Sequence, residues 1–117
     1  MKHLDPRDKN LWRLCRRILR YNAEVFGLKL RRVQVLSDQK DFFGDCSTDG
    51  CLRVQLRRLG TPLLAYQLID TLAHELAHLK HHNHKWGWFK LHTEILWSMQ
   101  AEGTYKKLRR IMKGKTT

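Results

Sequence analysis

The first pattern along the chain is helical. Leu11, Leu14, Cys15, Ile18, Leu19, Asn22, Val25 and Phe26 recur at helical spacing, and Arg13, Arg16, Arg17 and Arg20 fill the opposite side. Asp5-Pro6, followed by Asp8, reads as the start of this amphipathic helix, because Asp caps free amides and Pro fits a first turn; Gly27 reads as its end. From Leu30 to Leu36 the pattern turns to alternation, with Val33 and Val35 on one face and Arg32 and Gln34 on the other, as a half-buried strand requires. A second short strand is expected around Asp41 to Cys46. Ser47-Thr48-Asp49-Gly50 then supplies turn chemistry, and Leu52, Val54 and Leu56 alternate with Arg53, Gln55 and Arg57 in a third strand.

Thr61-Pro62 repeats the cap-then-proline start, and the run from Leu63 through Leu79 has helical length with no internal Gly or Pro, so a helix is expected from about 62 to about 82. Its apolar residues extend nearly all round, which makes it the central buried helix, covered by the sheet on one side and by helices elsewhere. From Trp86 to Met112 the pattern is helical again, interrupted near Gly103. The expected class is α+β: an N-terminal helix, a three-stranded sheet with a hairpin, a central helix and a C-terminal helix. No Pro-rich or Ser-rich linker divides the 117 residues, so residues 1–117 read as one domain with a basic C-terminal tail from about 103. At 42% hydrophobic the chain can build a core, yet a domain this small keeps a large surface, and a bound metal would help to hold it.

Charge changes the picture. Lys and Arg number 23 against 11 Asp and Glu, giving +12, a balance that serves solubility and polyanion affinity equally well. Two basic surfaces are expected: Arg13, Arg16, Arg17 and Arg20 near one end, and Lys106, Lys107, Arg109, Arg110, Lys113 and Lys115 at the other. The longest stretch without a charged residue, Leu59 to Ile69, is 11 residues, where a membrane span needs about 20. Met1 to Asp8 are not followed by the apolar segment of a secretory signal, so the expected location is cytoplasmic. Cys15, Cys46 and Cys51 form no CxxC pair and are expected as free thiols. The sequence carries no signal for an oligomeric state.

The chemistry concentrates in His74-Glu75-Leu76-Ala77-His78. Residues four apart on a helix differ by about 40° in direction and about 6 Å in rise, so His74 and His78 present their imidazoles to one point, as two zinc ligands do. Glu75 can reach a water at the open coordination position and act as general base. The third ligand is open between His84, six residues after His78, and Glu94, a downstream helical carboxylate. The His84 spacing is that of HExxHxxGxxH metalloproteases, with His81 where they have Gly. HExxH also arises by chance, but a histidine pair inside a buried helix would strand its nitrogens without a ligand, at about 1–3 kcal/mol for each unsatisfied group. His81 and His82 read as exposed helix-end histidines, and His3 and His92 as structural or exposed.

Phe43-Gly44-Asp45-Cys46-Ser47-Thr48-Asp49-Gly50, then Ile69-Asp70-Thr71-Leu72-Ala73-His74-Glu75-Leu76-Ala77-His78-Leu79, then Asn83-His84 with Trp88-Phe89, resemble the SprT-like and YgjP-like zinc metallopeptidase group. The resemblance spans roughly residues 10 to 100 and implies a small zincin-like domain. It implies His74, His78 and His84 as ligands of a Zn2+ cofactor, Glu75 as base, and a protein or peptide substrate. It also implies that the strand Leu52 to Arg57 lies at a sheet edge that an extended substrate joins, although an ordinary hairpin strand has the same alternation. The cysteine-rich zinc ribbon of many SprT-like proteins is absent, so any DNA targeting, with the nucleoid association it implies, falls to the basic surfaces. Tyr66 and Tyr105 are the candidate oxyanion partners. Two rival readings stand beside this one: a zinc hydrolase of nucleotides or phosphorylated small molecules, and a non-catalytic nucleic-acid-binding protein stapled by its metal.

Overall fold

In the computed structural model, which describes residues 6–37, 44–58 and 61–114, the first apolar pattern is helix α1, Lys9–Val25, entered through a 3-10 turn at Pro6–Asp8. Asp5 lies outside the described residues. Asp8 does not cap the helix with its side chain. It is buried and accepts two hydrogen bonds from Arg57, Nε to Oδ2 and Nη2 to Oδ1, each 3.1 Å, tying the start of α1 to the end of the sheet region.

Strands β1 (Arg32–Leu36), β2 (Gly44–Cys46) and β3 (Cys51–Gln55) form a sheet of order β1-β3-β2. The part of the expected second strand before Gly44 lies outside the described residues. β2 and β3 are the expected hairpin, antiparallel with Asp45 opposite Arg53; β1 runs parallel to β3, with Val33 opposite Leu52 and Val35 opposite Val54. The valine and leucine pairs therefore point into the core together, and Arg32, Gln34 and Arg53 point out. Alternation fails at the end of this ladder: Leu36 and its partner Gln55 are both buried, against the outward position expected of Gln55.

The order corrects the expectation that the Leu52–Arg57 region is a sheet edge. β3 is paired on both sides, and the edge strands are β1 and β2. The outer edge of β1 is occupied by α1, whose Arg16 Nη1 donates to the Val33 carbonyl at 3.1 Å while its guanidinium lies 5.2 Å from the Trp12 ring centre. The outer edge of β2 has no strand partner among the described residues.

A two-residue ribbon, β4 (Arg57–Arg58) with β5 (Thr61–Pro62), takes the residues expected to open the central helix. Helix α2 instead spans Ala65–His78, and Gln67 Oε1 accepts the Leu64 amide at 2.9 Å, satisfying a free N–H at its start. It is the central helix: Leu68, Leu72, Ala73, Leu76 and Ala77 have no exposed surface, and they meet residues from α1, the sheet and the two following helices in one core. Trimming one of these leucines to Ala should cost about 2–5 kcal/mol.

Helices α3 (Trp86–Ala101) and α4 (Thr104–Gly114) follow, broken at Gly103 as expected. The basic segment after 103 is thus helix, fastened by fully buried Leu108, with Lys106, Lys107, Arg109 and Arg110 exposed. No described helix is long and apolar enough to cross a membrane.

Candidate metal centre

α2 ends at His78, four residues earlier than the pattern suggested, and the chain then turns back over its end. That turn brings His84 to the helix. Nε2 of His78 lies 3.1 Å from that of His74 and 3.0 Å from that of His84, and the remaining pair is 3.3 Å apart. Ligands about 2.0–2.1 Å from a tetrahedral zinc ion stand about 3.3–3.4 Å from one another, so three imidazole nitrogens at these spacings fit such an ion. Among the described residues this is the group of His, Cys and acidic side chains able to share a metal. Glu94 is exposed on α3 and does not join it.

The supporting groups suit ligand chemistry. His78 Nδ1 lies 2.9 Å from the His81 carbonyl; an N–H donated there leaves the Nε2 lone pair free toward the other two histidines. Burial, helped by the neighbouring histidines, pushes His74 down to about 4, and burial likewise lowers His78 against the opposing pull of the His81 carbonyl. Both imidazoles are thus held neutral at physiological pH, the form that binds a metal.

His81 is half-buried, not the exposed helix-end histidine expected. Besides lending its carbonyl, its ring packs on Gly87, where a Cβ would come within 2.7 Å of the ring. His82 is exposed, as expected.

Trp88 was not singled out as a site residue. Its ring stands 4.8 Å from His74, 5.5 Å from His78 and 4.7 Å from His84, centre to centre, and its Nε1 donates to the His74 carbonyl at 3.3 Å. On its other flank His92 stacks at 4.8 Å, with its Nε2 3.3 Å from Asp70 Oδ1. The signal in the sequence was spacing: Asp70 precedes His74 by one helical turn, and Trp88 precedes His92 by one turn.

Glu75 occupies the flank of α2 that faces β2. It is 6% exposed, and no side chain among the described residues hydrogen-bonds its carboxyl. Burial, with Asp45 nearby, raises it to about 7, so near neutrality it can both take and give a proton. The fit depends on Gly44: a Cβ there would lie 2.7 Å from the Arg53 carbonyl oxygen and 3.2 Å from Cγ of Glu75 and Cγ2 of Thr71. Cys15 and Cys46 are free; burial raises Cys15 to about 12, and partial burial together with the neighbouring Glu75 and Asp45 carboxyls raises Cys46 to about 12, so both stay as thiols. Tyr66 and Tyr105 border a groove of about 660 Å³ between α2, α3 and α4, together with Asp70, Leu96 and Gln100.

The family described as YgjP-like, metallopeptidase domain, matches residues 7–110 of the chain. No curated protein and no solved structure matches it.

Proposed function

Because the chain belongs to the YgjP-like metallopeptidase family, we propose that it is a zinc-dependent peptidase with His74, His78 and His84 as metal ligands and Glu75 as general base. The observation that carries this reading is the convergence of three Nε2 atoms to within 3.3 Å, two of them on α2 and the third from the turn after it, beside a buried carboxyl, Glu75, that has no hydrogen-bond partner among the described residues. Zinc suits an all-imidazole donor set, and held by His74, His78 and His84 it would supply Lewis acidity toward a scissile carbonyl and a water.

The chain does the rest. His81 and Trp88 fix the rings of the ligand histidines by a backbone hydrogen bond and by packing. Glu75 takes the proton of the attacking water and returns it to the leaving amine, a role that its raised pKa supports. Among the described residues β2 is the sheet edge beside Glu75 and has no further strand partner, so an extended substrate pairs there by backbone hydrogen bonds, in the place that β3 cannot offer. The exposed arginines of α1 and the basic residues of α4, on a chain of +12, support substrates held near nucleic acid.

The test is metal content and cleavage of an unfolded protein by wild type and Glu75→Gln. About one zinc per chain in both, with cleavage lost in the variant, is the result expected. Wild-type protein that binds no metal would overturn the reading, and metal without cleavage would favour a structural staple.

A further inference from the structure

Helix α3 turns one face to the core through Trp88, Ile95 and Met99, and its opposite face is aromatic where a solvated helix is usually polar. Trp86 is 75% exposed, Phe89 55% and Trp97 69%. Eleven residues is close to three whole turns, so Trp86 and Trp97 lie in line about 16 Å apart, with Phe89 beside them. Trp86 and Phe89 are stacked near parallel, 18° between planes and 6.2 Å between centres. Lys85 and Lys90 flank this pair, exposed, and exposed Glu94 is the acidic residue of the helix.

We propose that this face of α3 is a stacking platform for single-stranded nucleic acid, lying alongside the histidine cluster. Charge complementarity selects the partner: a chain of +12 attracts polyanions, and the polyanion that also offers flat π faces is an unpaired nucleic-acid strand. A lipid surface fits less well. The exposed large apolar side chains of α3 are aromatic rings without an aliphatic one among them, and Lys90 and Thr93 separate them, whereas insertion among acyl chains calls for a continuous apolar stripe. Three rings along about 16 Å suit a strand lying lengthwise, with bases on the rings and phosphates toward Lys85 and Lys90. This proposal does not rest on the metal or on peptide cleavage, so either can fail without the other.

The experiment is fluorescence anisotropy of a labelled oligothymidylate of about 12 bases with full-length protein, over a salt series. Wild type should bind, with its tryptophan emission quenched. Trp86→Ala/Trp97→Ala should bind roughly tenfold or more weakly with the salt slope kept, and Trp86→Phe/Trp97→Phe should recover part of the loss. Lys85→Gln/Lys90→Gln should instead flatten the salt slope by about 1.4. Circular dichroism of each variant checks that the fold is kept, which the exposure of these side chains favours. Unchanged affinity in the double-alanine variant, equal affinity for a duplex of the same length, or binding to anionic phospholipid vesicles with none to the oligonucleotide would each overturn the proposal.

Discussion

Asp8 and Glu75 are carboxyl groups buried to the same degree, 5% and 6% exposed, yet their surroundings are opposite. Asp8 accepts a two-point hydrogen bond from Arg57, whereas Glu75 lies against β2 with no hydrogen-bond donor among the described residues. A buried carboxyl that has a guanidinium holds elements together; one without a partner is costly to the fold and persists where its proton chemistry is used. The difference marks Glu75, and not Asp8, as the candidate for proton chemistry without reference to any motif.

The comparison breaks most visibly if Glu75 is replaced. Glu75→Gln should lower peptide cleavage by about a thousandfold, within the range for loss of a general base, while leaving thermal stability equal or slightly higher, since no hydrogen-bond partner among the described residues is abandoned. Activity assays and a melting curve on the same preparation read both. A large loss of stability would place Glu75 with Asp8 among the structural acids.

Next in size is the metal, which extends the contrast to the histidines beside Glu75. If the free ion stands at a thousand times its dissociation constant, binding adds about 4 kcal/mol to stability. A chelator should therefore depress the unfolding temperature of wild type markedly. His84→Ala should lose most of that sensitivity together with bound metal, whereas Glu94→Ala should keep both. Atomic absorption and calorimetry with and without chelator check this.

The other side of the comparison is tested through Arg57. Arg57→Ala leaves Asp8 buried without its two-point partner and should cost about 2–4 kcal/mol in denaturant unfolding at fixed metal concentration, with activity per folded molecule little changed. Asp8→Ala/Arg57→Ala should be less destabilised than the sum of the single variants, because both single changes remove the same two-point interaction.

How far the sequence foretold these two environments differs in an instructive way. Periodicity located α1, α3, α4 and the three strands of the sheet, and placed His74 and His78 on one face, because local spacing alone decides those things. It could not show that Asp8 pairs with Arg57, 49 positions away, or that β1 joins β3 in parallel across the intervening hairpin strand, since both are tertiary facts. Thr61-Pro62 imitated a helix start and proved to be a ribbon, while the helix end, read four residues too far, hid how His81 serves His78 through its carbonyl. The setting of Glu75 was illegible for a similar reason: it is made by the backbone of a strand some 30 residues earlier.

That strand gives the finest test. Gly44→Ala would put a methyl 2.7 Å from the Arg53 carbonyl oxygen, a backbone atom that cannot swing aside, and 3.2 Å from the Glu75 side chain. β2 must then move away from α2 and loosen its pairing to β3, at about 1–2 kcal/mol in unfolding. The same movement opens the flank of Glu75 to water, so cleavage should fall severalfold beyond what the folded fraction explains, with metal content unchanged. An alanine variant that loses stability but keeps full activity per folded molecule would show that β2 presses on Glu75 for packing alone, and that the desolvation which marks this carboxyl comes from α2 and its helical neighbours.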